Sequence, residues 1–224
     1  MALVHDKFYV IVPKAATNLI TNPSFETATT GWTASGAGVS IAVSTAYQRR
    51  GAQSCEVTTA TGVASGAYYA ISLTSGTQYT FSVDVRDVSG QAFRVYFANS
   101  SGTLLGTATT WTGTGNWTRK AVTYTAASTA THRLYIIRDA VASTTKFQID
   151  GAQLEVGAES TYLDGDCVGL TQQKDFGWNG TAHDSTSYRL ARTRAGGTLL
   201  DIETYAHVIS HIGLGRAPEE HTSS

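Results

Sequence analysis

The chain is expected to be all-β: an antiparallel β-sandwich followed by a hairpin and a C-terminal extension. Three observations lead there. Several short runs alternate apolar and polar residues strictly. Gly-Ser, Ser-Gly and Gly-Thr breaks interrupt the chain about every 8 to 15 residues. No stretch between Asn18 and Glu155 carries the spacing of an amphipathic helix. A period of two with one polar side means an antiparallel sheet wetted on one face. Turn signals at that density favour a sandwich over alternating strands and helices.

Residues 1–17 form an arm in which Phe8-Tyr-Val-Ile-Val12 reads as a strand, too short for the apolar core of an export signal. The sandwich is placed at 18–157. Within it Tyr79, Phe81, Val83 and Val85 point one way, and Thr80, Ser82, Asp84 and Arg86 the other. Phe93–Phe97 repeats the pattern with Arg94 and Tyr96 opposite the apolar set, and 121–124, 134–137 and 147–149 are further strands. Residues 158–195 read as loop and short hairpins, with Asn179-Gly180 a strong turn signal. In 196–224, the stretch TLLDIETYAHVISHIGLG is too apolar to stay exposed and too irregular to fold alone. It is read as an assembly segment that orders against neighbours, with a frayed polar end.

Sixteen basic against seventeen acidic residues, a net charge of −1, leave no basic face for nucleic acid. No apolar run approaches the ~18 residues of a membrane helix. Cys55 and Cys167 are two buried thiols or one disulfide, the former being the commoner outcome. His207 and His211 lack the glutamate of a His-Glu-x-x-His zinc site, and neither a Gly-x-Ser-x-Gly elbow nor a phosphate loop is present. Asp84 and Asp139 lie on plausible strands, but nothing singles them out as a glycosidase pair. The expectation is that the protein is not an enzyme.

NLITNPSFE followed by GW, then AYQRRGAQSCEV, then FQIDGAQLE resembles the jelly-roll carbohydrate-binding modules of the cellulose- and xylan-binding type. The resemblance spans roughly Asn18 to Glu155 and implies a jelly roll. It also implies a structural Ca²⁺ held by Glu26 and Asp150 with a carbonyl near Arg49 or Gly51. Two carboxylates from the first and last strands would suit an ion that takes six to eight oxygens. Solvated strand-end acids, or an arginine of Arg49-Arg50 paired with Glu26, are the alternatives. Sugar binding by such modules uses a sheet face where aromatic rings meet sugar C–H bonds and polar groups read hydroxyls. Here the outward residues Asp84, Arg86, Arg94, Tyr96 and Tyr135 are the candidates, with Tyr69 and Trp111 at the rim. Exposed strand tyrosines are the plainer account of Tyr96 and Tyr135. Trp32 and Trp117 are placed in the core.

DGDCVGLTQQKDFGWNGTAHDSTSYR is similar to a stretch common in bacteriophage minor tail proteins, and the VIVPKAATNLITNPSFE opening fits the same group. Asp164-Gly-Asp166 is read as a turn, since a full calcium-loop spacing is missing. Trp178 and His183 are expected to pin a hairpin against the sandwich. The resemblance implies a structural component of a virion, in the tail or on the particle surface. It would be made in the host cytoplasm and would contact other virion proteins and copies of itself. Its displayed jelly roll would bind a host-surface glycan. A free or enzyme-derived carbohydrate-binding module is the alternative.

Overall fold

The computed structural model describes residues 15–140, 142–167 and 176–190, all within one compact unit that runs to Ala191. The Phe8–Val12 strand, the His207/His211 pair and the C-terminal assembly segment lie outside the described residues. Among those residues there are thirteen strands and no helix. In chain order they are β1 (Ala16–Asn18), β2 (Trp32–Ser35), β3 (Ser40–Ser44), β4 (Ser54–Thr58), β5 (Ser65–Leu73), β6 (Gln78–Arg86) and β7 (Ala92–Asn99). There follow β8 (Leu104–Thr112), β9 (Trp117–Thr125), β10 (Ala130–Arg138), β11 (Lys146–Val156), β12 (Phe176–Trp178) and β13 (Ser187–Arg189). Two five-stranded antiparallel sheets form a jelly-roll sandwich. The front sheet has the order β2-β5-β10-β7-β8 and the back sheet β3-β4-β11-β6-β9.

The alternation read from the sequence sets the interior. Phe81, Val83 and Val85 of β6 turn inward from the back sheet, towards Phe93, Val95 and Phe97 of β7 and Leu134 and Ile136 of β10. Each fully buried apolar side chain contributes about 1.5–3 kcal/mol by leaving water. At one edge Phe25, Trp32 and Tyr69 make a chain of ring contacts at 5.2 and 5.3 Å. Trp32 is a core residue, as the sequence implied.

The Asn-Pro-Ser-Phe-Glu stretch owes its shape to two devices. Buried Asn18 donates to the Ala152 carbonyl and accepts from the Ile20 and Leu154 amides, tying the chain's entry to β11. Phe25 sits at φ 59°, a left-handed conformation that a bulky side chain adopts only when its surroundings enforce it. Burial of the ring against Trp32 does so, and the turn sends the next residue, Glu26, outward.

β12 and β13 form the expected hairpin, and β13 also pairs with β1 to make a small three-stranded sheet. Asn179-Gly180 opens a longer connection, not a two-residue turn. The Asn179 amide reaches the Thr186 carbonyl, and the Ser185 hydroxyl accepts from the Gly180 amide. Trp178 lies flat on Gly165, where any Cβ would overlap the indole. Its N–H donates to Asp166, which His183 also contacts at 3.1 Å. Asp164-Gly-Asp166 is a turn in which Asp164 accepts from the Asp166 amide and the Tyr162 hydroxyl.

Candidate functional site

The outer face of the front sheet carries a row of tyrosines in register. Tyr135 on β10 faces Tyr68 on β5 on one side and Tyr96 on β7 on the other. Tyr96 and Tyr135 stack at 5.0 Å with 9° between planes, and Tyr68 stands 5.1 Å from Tyr135. The rings therefore stand upright and pack against each other. Tyr135, only 6% exposed, is the middle of the stack.

Arginines close both ends of the row. Arg133 lies 4.5 Å over Tyr68 and donates to the Tyr135 hydroxyl, while Arg94 lies 5.6 Å from the Tyr96 ring and pairs with Asp139 at 3.2 Å. The adjoining register positions are small: Ala70 and Ala98 beside Arg133, and Gly66 beside Ile137. Gly66 is obligatory, because a Cβ there would collide with the Ile136 carbonyl and press on Ile137. A raised aromatic row flanked by small residues and ended by two guanidinium groups suits a ligand with apolar ring edges and many hydroxyls. Burial raises the Tyr96 phenol above its ordinary value, so at neutral pH it keeps its proton to donate.

Of the expected sugar-contacting residues, this face unites Arg94, Tyr96 and Tyr135. The other two are elsewhere. Asp84 and Arg86 project from β6 on the outer face of the back sheet, which is the opposite side of the molecule. Alternation separates inward from outward but cannot say which of two outward faces a strand supplies. Asp84, 2% exposed, is held by Arg50 and Arg119, each at 3.2 Å, beneath the segments around 49–53 and 159–162. It is sealed from solvent. Asp84 lies on the back sheet and Asp139 just past the end of β10 of the front sheet, so the two do not flank one glycosidic bond.

Three further placements change. Tyr69 is a core residue whose hydroxyl bonds Thr21, not a rim residue. Trp111 lies on the inner side of β8, stacked on Phe93 at 5.5 Å, with its N–H donating to Asp87. Trp117, expected in the core, is opposite Arg86 and so belongs to the outer back face. The sequence reading missed Tyr68 and Arg133. Adjacent Tyr68-Tyr69 held the signal, because only one residue of such a pair can face inward.

Glu26 and Asp150, far apart in sequence, converge on the same loop. Glu26 accepts from the Ala52 and Gln53 amides at 2.9 and 3.3 Å. Asp150 accepts from the Arg49 and Arg50 amides and from Gly151, each at 2.7 Å. Gly151 adopts φ 54° at the β-bulge between Asp150 and Gln153. The arginine alternative fails in its stated form: the Arg50 side chain pairs with Asp84, not Glu26. Burial pushes the Asp150 carboxyl up to about 7, partly opposed by its three amide donors. A dication would offset that penalty. Among the described residues no three or more His, Cys, Asp or Glu side chains gather to hold a metal, so such an ion would need backbone carbonyls. Cys55 and Cys167 are free thiols, and burial pushes Cys55 up to about 12, far from thiolate chemistry.

A family model described as a carbohydrate binding domain matches residues 17–140, more than half of the chain. An arabinose-bound α-L-arabinofuranosidase (MgGH51) shares the fold at TM-score 0.53 and 17% identity; 63% of this chain is covered, but only 26% of that enzyme. The CBM22-1 xylan-binding domain of Paenibacillus barcinonensis Xyn10C aligns at TM-score 0.49 and 23% identity, covering 66% of this chain and 99% of that one. The enzymatically active domain of bacteriophage CBA120 tailspike protein 4 aligns at TM-score 0.48 and 12% identity, over 62% of this chain and 21% of that one. No curated protein sequence matches.

Proposed function

Because the chain belongs to the carbohydrate binding domain family, we propose that it binds a saccharide on the front sheet, along the Tyr68–Tyr135–Tyr96 row. One observation carries this reading: three tyrosines in register, end-capped by Arg133 and Arg94, with Ala70, Ala98 and Gly66 among their neighbours on the same sheet face. The apolar C–H surface of the sugar rings would pack against the exposed part of the tyrosine row, and the phenols and guanidinium groups would bond hydroxyls. The sugar itself is left to a panel of plant and bacterial-surface polysaccharides in affinity gels. Tyr68→Ala and Tyr96→Ala, at half-buried positions, are expected to lose retention with little change in melting temperature. Retention equal to that of the parent would move the site off this face. Tyr135→Ala is a poor test, since removing a buried aromatic costs about 3–5 kcal/mol by itself.

Two narrower readings accompany it. The first is a Ca²⁺ ion held by Glu26 and Asp150 with carbonyl oxygens of the 49–51 turn. It is supported by the convergence of both carboxylates on one loop and by the burial penalty on Asp150. Chelation should then lower the melting temperature by several degrees, and calcium should restore it. An unchanged transition would dismiss the ion.

The second is display on a phage particle, where the chain would meet other virion proteins and a host-surface glycan. Its support is the similarity of the 164–189 stretch to minor tail proteins. Immunogold labelling of particles should decorate tails or surfaces. Label confined to the soluble fraction would favour a free module.

A further inference from the structure

We infer that the outer face of the back sheet holds a second, independent ligand site, built around Arg86 and suited to an acidic saccharide such as a uronate. The groups lie in one row across the sheet. Glu56 on β4 faces Gln148 on β11, Gln148 faces Arg86 on β6, and Arg86 faces Trp117 on β9. Tyr47, 45% exposed, comes from the neighbouring loop and lies with its ring centroid 3.6 Å from the Arg86 guanidinium carbon.

What distinguishes this row is unspent hydrogen-bonding capacity. The Arg86 side chain makes no hydrogen bond or ion pair among the described residues; its contact is the Tyr47 ring. The nearby arginines differ in this. Arg50 and Arg119 are both paired with Asp84, and Arg119 also with Glu159. Beside Arg86, Gln148 is 2% exposed and its Oε1 has no donor, although its amide nitrogen is used on Glu56. A guanidinium lacking an acceptor thus adjoins a buried acceptor lacking a donor.

The charge balance selects the ligand. Glu56 is already matched by Lys146 at 2.6 Å, and no carboxylate among the described residues pairs with Arg86. A planar guanidinium whose N–H groups find no acceptor among the described residues is built for bidentate capture of a carboxylate. The Tyr47 ring lies against it and half-buried Trp117 holds the register position across from it, aromatic side chains against which the apolar face of a pyranose can rest. A carboxylate flanked by a sugar ring satisfies both demands. A bare inorganic anion would leave the aromatics idle, and a neutral sugar would leave the charge unmet.

This site does not depend on the front-face reading, and the test separates them. Full-length protein is titrated by calorimetry with oligogalacturonate, and with a neutral xylo-oligosaccharide as comparison, on the parent, Arg86→Gln, Arg86→Lys, Tyr47→Ala and Tyr96→Ala chains. Oligogalacturonate should bind the parent. Affinity should fall about tenfold or more in Arg86→Gln and Tyr47→Ala, and partly in Arg86→Lys, which keeps the charge but loses the fork. It should be unchanged in Tyr96→Ala and should weaken as salt rises. Melting temperatures of the Arg86 and Tyr47 variants should match the parent, since both positions are on the surface. Failure of oligogalacturonate to bind, or binding that survives Arg86→Gln, would overturn the second site. So would binding lost in Tyr96→Ala but kept in Arg86→Gln.

Discussion

Arg138 shows what a single residue can decide in this molecule. Its side chain is fully buried between the sheets, at 0% exposure, with no carboxylate among its partners in the described residues. It donates instead to Gln91 Oε1, the Ser143 and Ala60 carbonyls and Thr145 Oγ1, which come from three different connections. Burial alone lowers its pKa, but Arg starts so high that it stays charged. Its worth lies in satisfying acceptors that would otherwise be stranded, each costing about 1–3 kcal/mol when left unpaired in the interior. Arg138→Ala should therefore cost about 3 kcal/mol or more in urea unfolding. A loss below about 1 kcal/mol would mean that water or rearranged loops replace it. Nothing in the sequence announced this role. Arg138 sits at an inward register position of β10, and an arginine there reads as a strand end reaching solvent.

At the scale of the element, the hairpin 176–189 is attached through the pairing of β13 with β1 and through Trp178 packed on Gly165. Trp178 occupies the space a Cβ at 165 would need. Gly165→Ala should lift the indole from Asp166 and undock the hairpin locally, with an overpacking cost of about 1–3 kcal/mol. Limited proteolysis would read this as faster cleavage between 176 and 190 while the sandwich melts as before. Equal cleavage rates in the two chains would show that the indole simply shifts.

Elements also mark how far the sequence could be read. Strict alternation in β6, β7 and β10 placed the core correctly at Phe81, Val83, Val85, Phe93, Val95 and Phe97. The same alternation misled at Asp84 and Arg86, because period two carries no label for the sheet. The loops that seal Asp84, at 49–53 and 159–162, act across the fold from distant positions. No local pattern encodes that cover. Trp117 failed for a related reason: its ring is apolar, but its register partner is Arg86, so pairing overrode hydrophobicity. Tyr68 and Arg133 were legible in principle, as the outward partners of Tyr69 and Leu134.

The whole molecule has two outer faces with different chemistry. The front face is a tyrosine row with Ala70, Ala98, Gly66 and Ile137 beside it. The back face is a polar layer, largely roofed over by loops and open near Arg86, Tyr47 and Trp117. Burying Asp84, Asp150, Gln153 and Glu155 under a roof is tolerable only because nearly every oxygen has a donor. Those interlocked groups tie the 49–53 and 159–162 segments to the back sheet. The front face is the proposed saccharide site. The most direct measurement is an NMR titration of the full chain with whichever oligosaccharide the affinity gels select, following assigned tyrosine ring and arginine side-chain signals. Saccharide binding on this face predicts the largest shifts at Tyr68, Tyr96, Tyr135 and the Arg94 and Arg133 guanidinium groups. Shifts concentrated elsewhere, with those five unmoved, would contradict it.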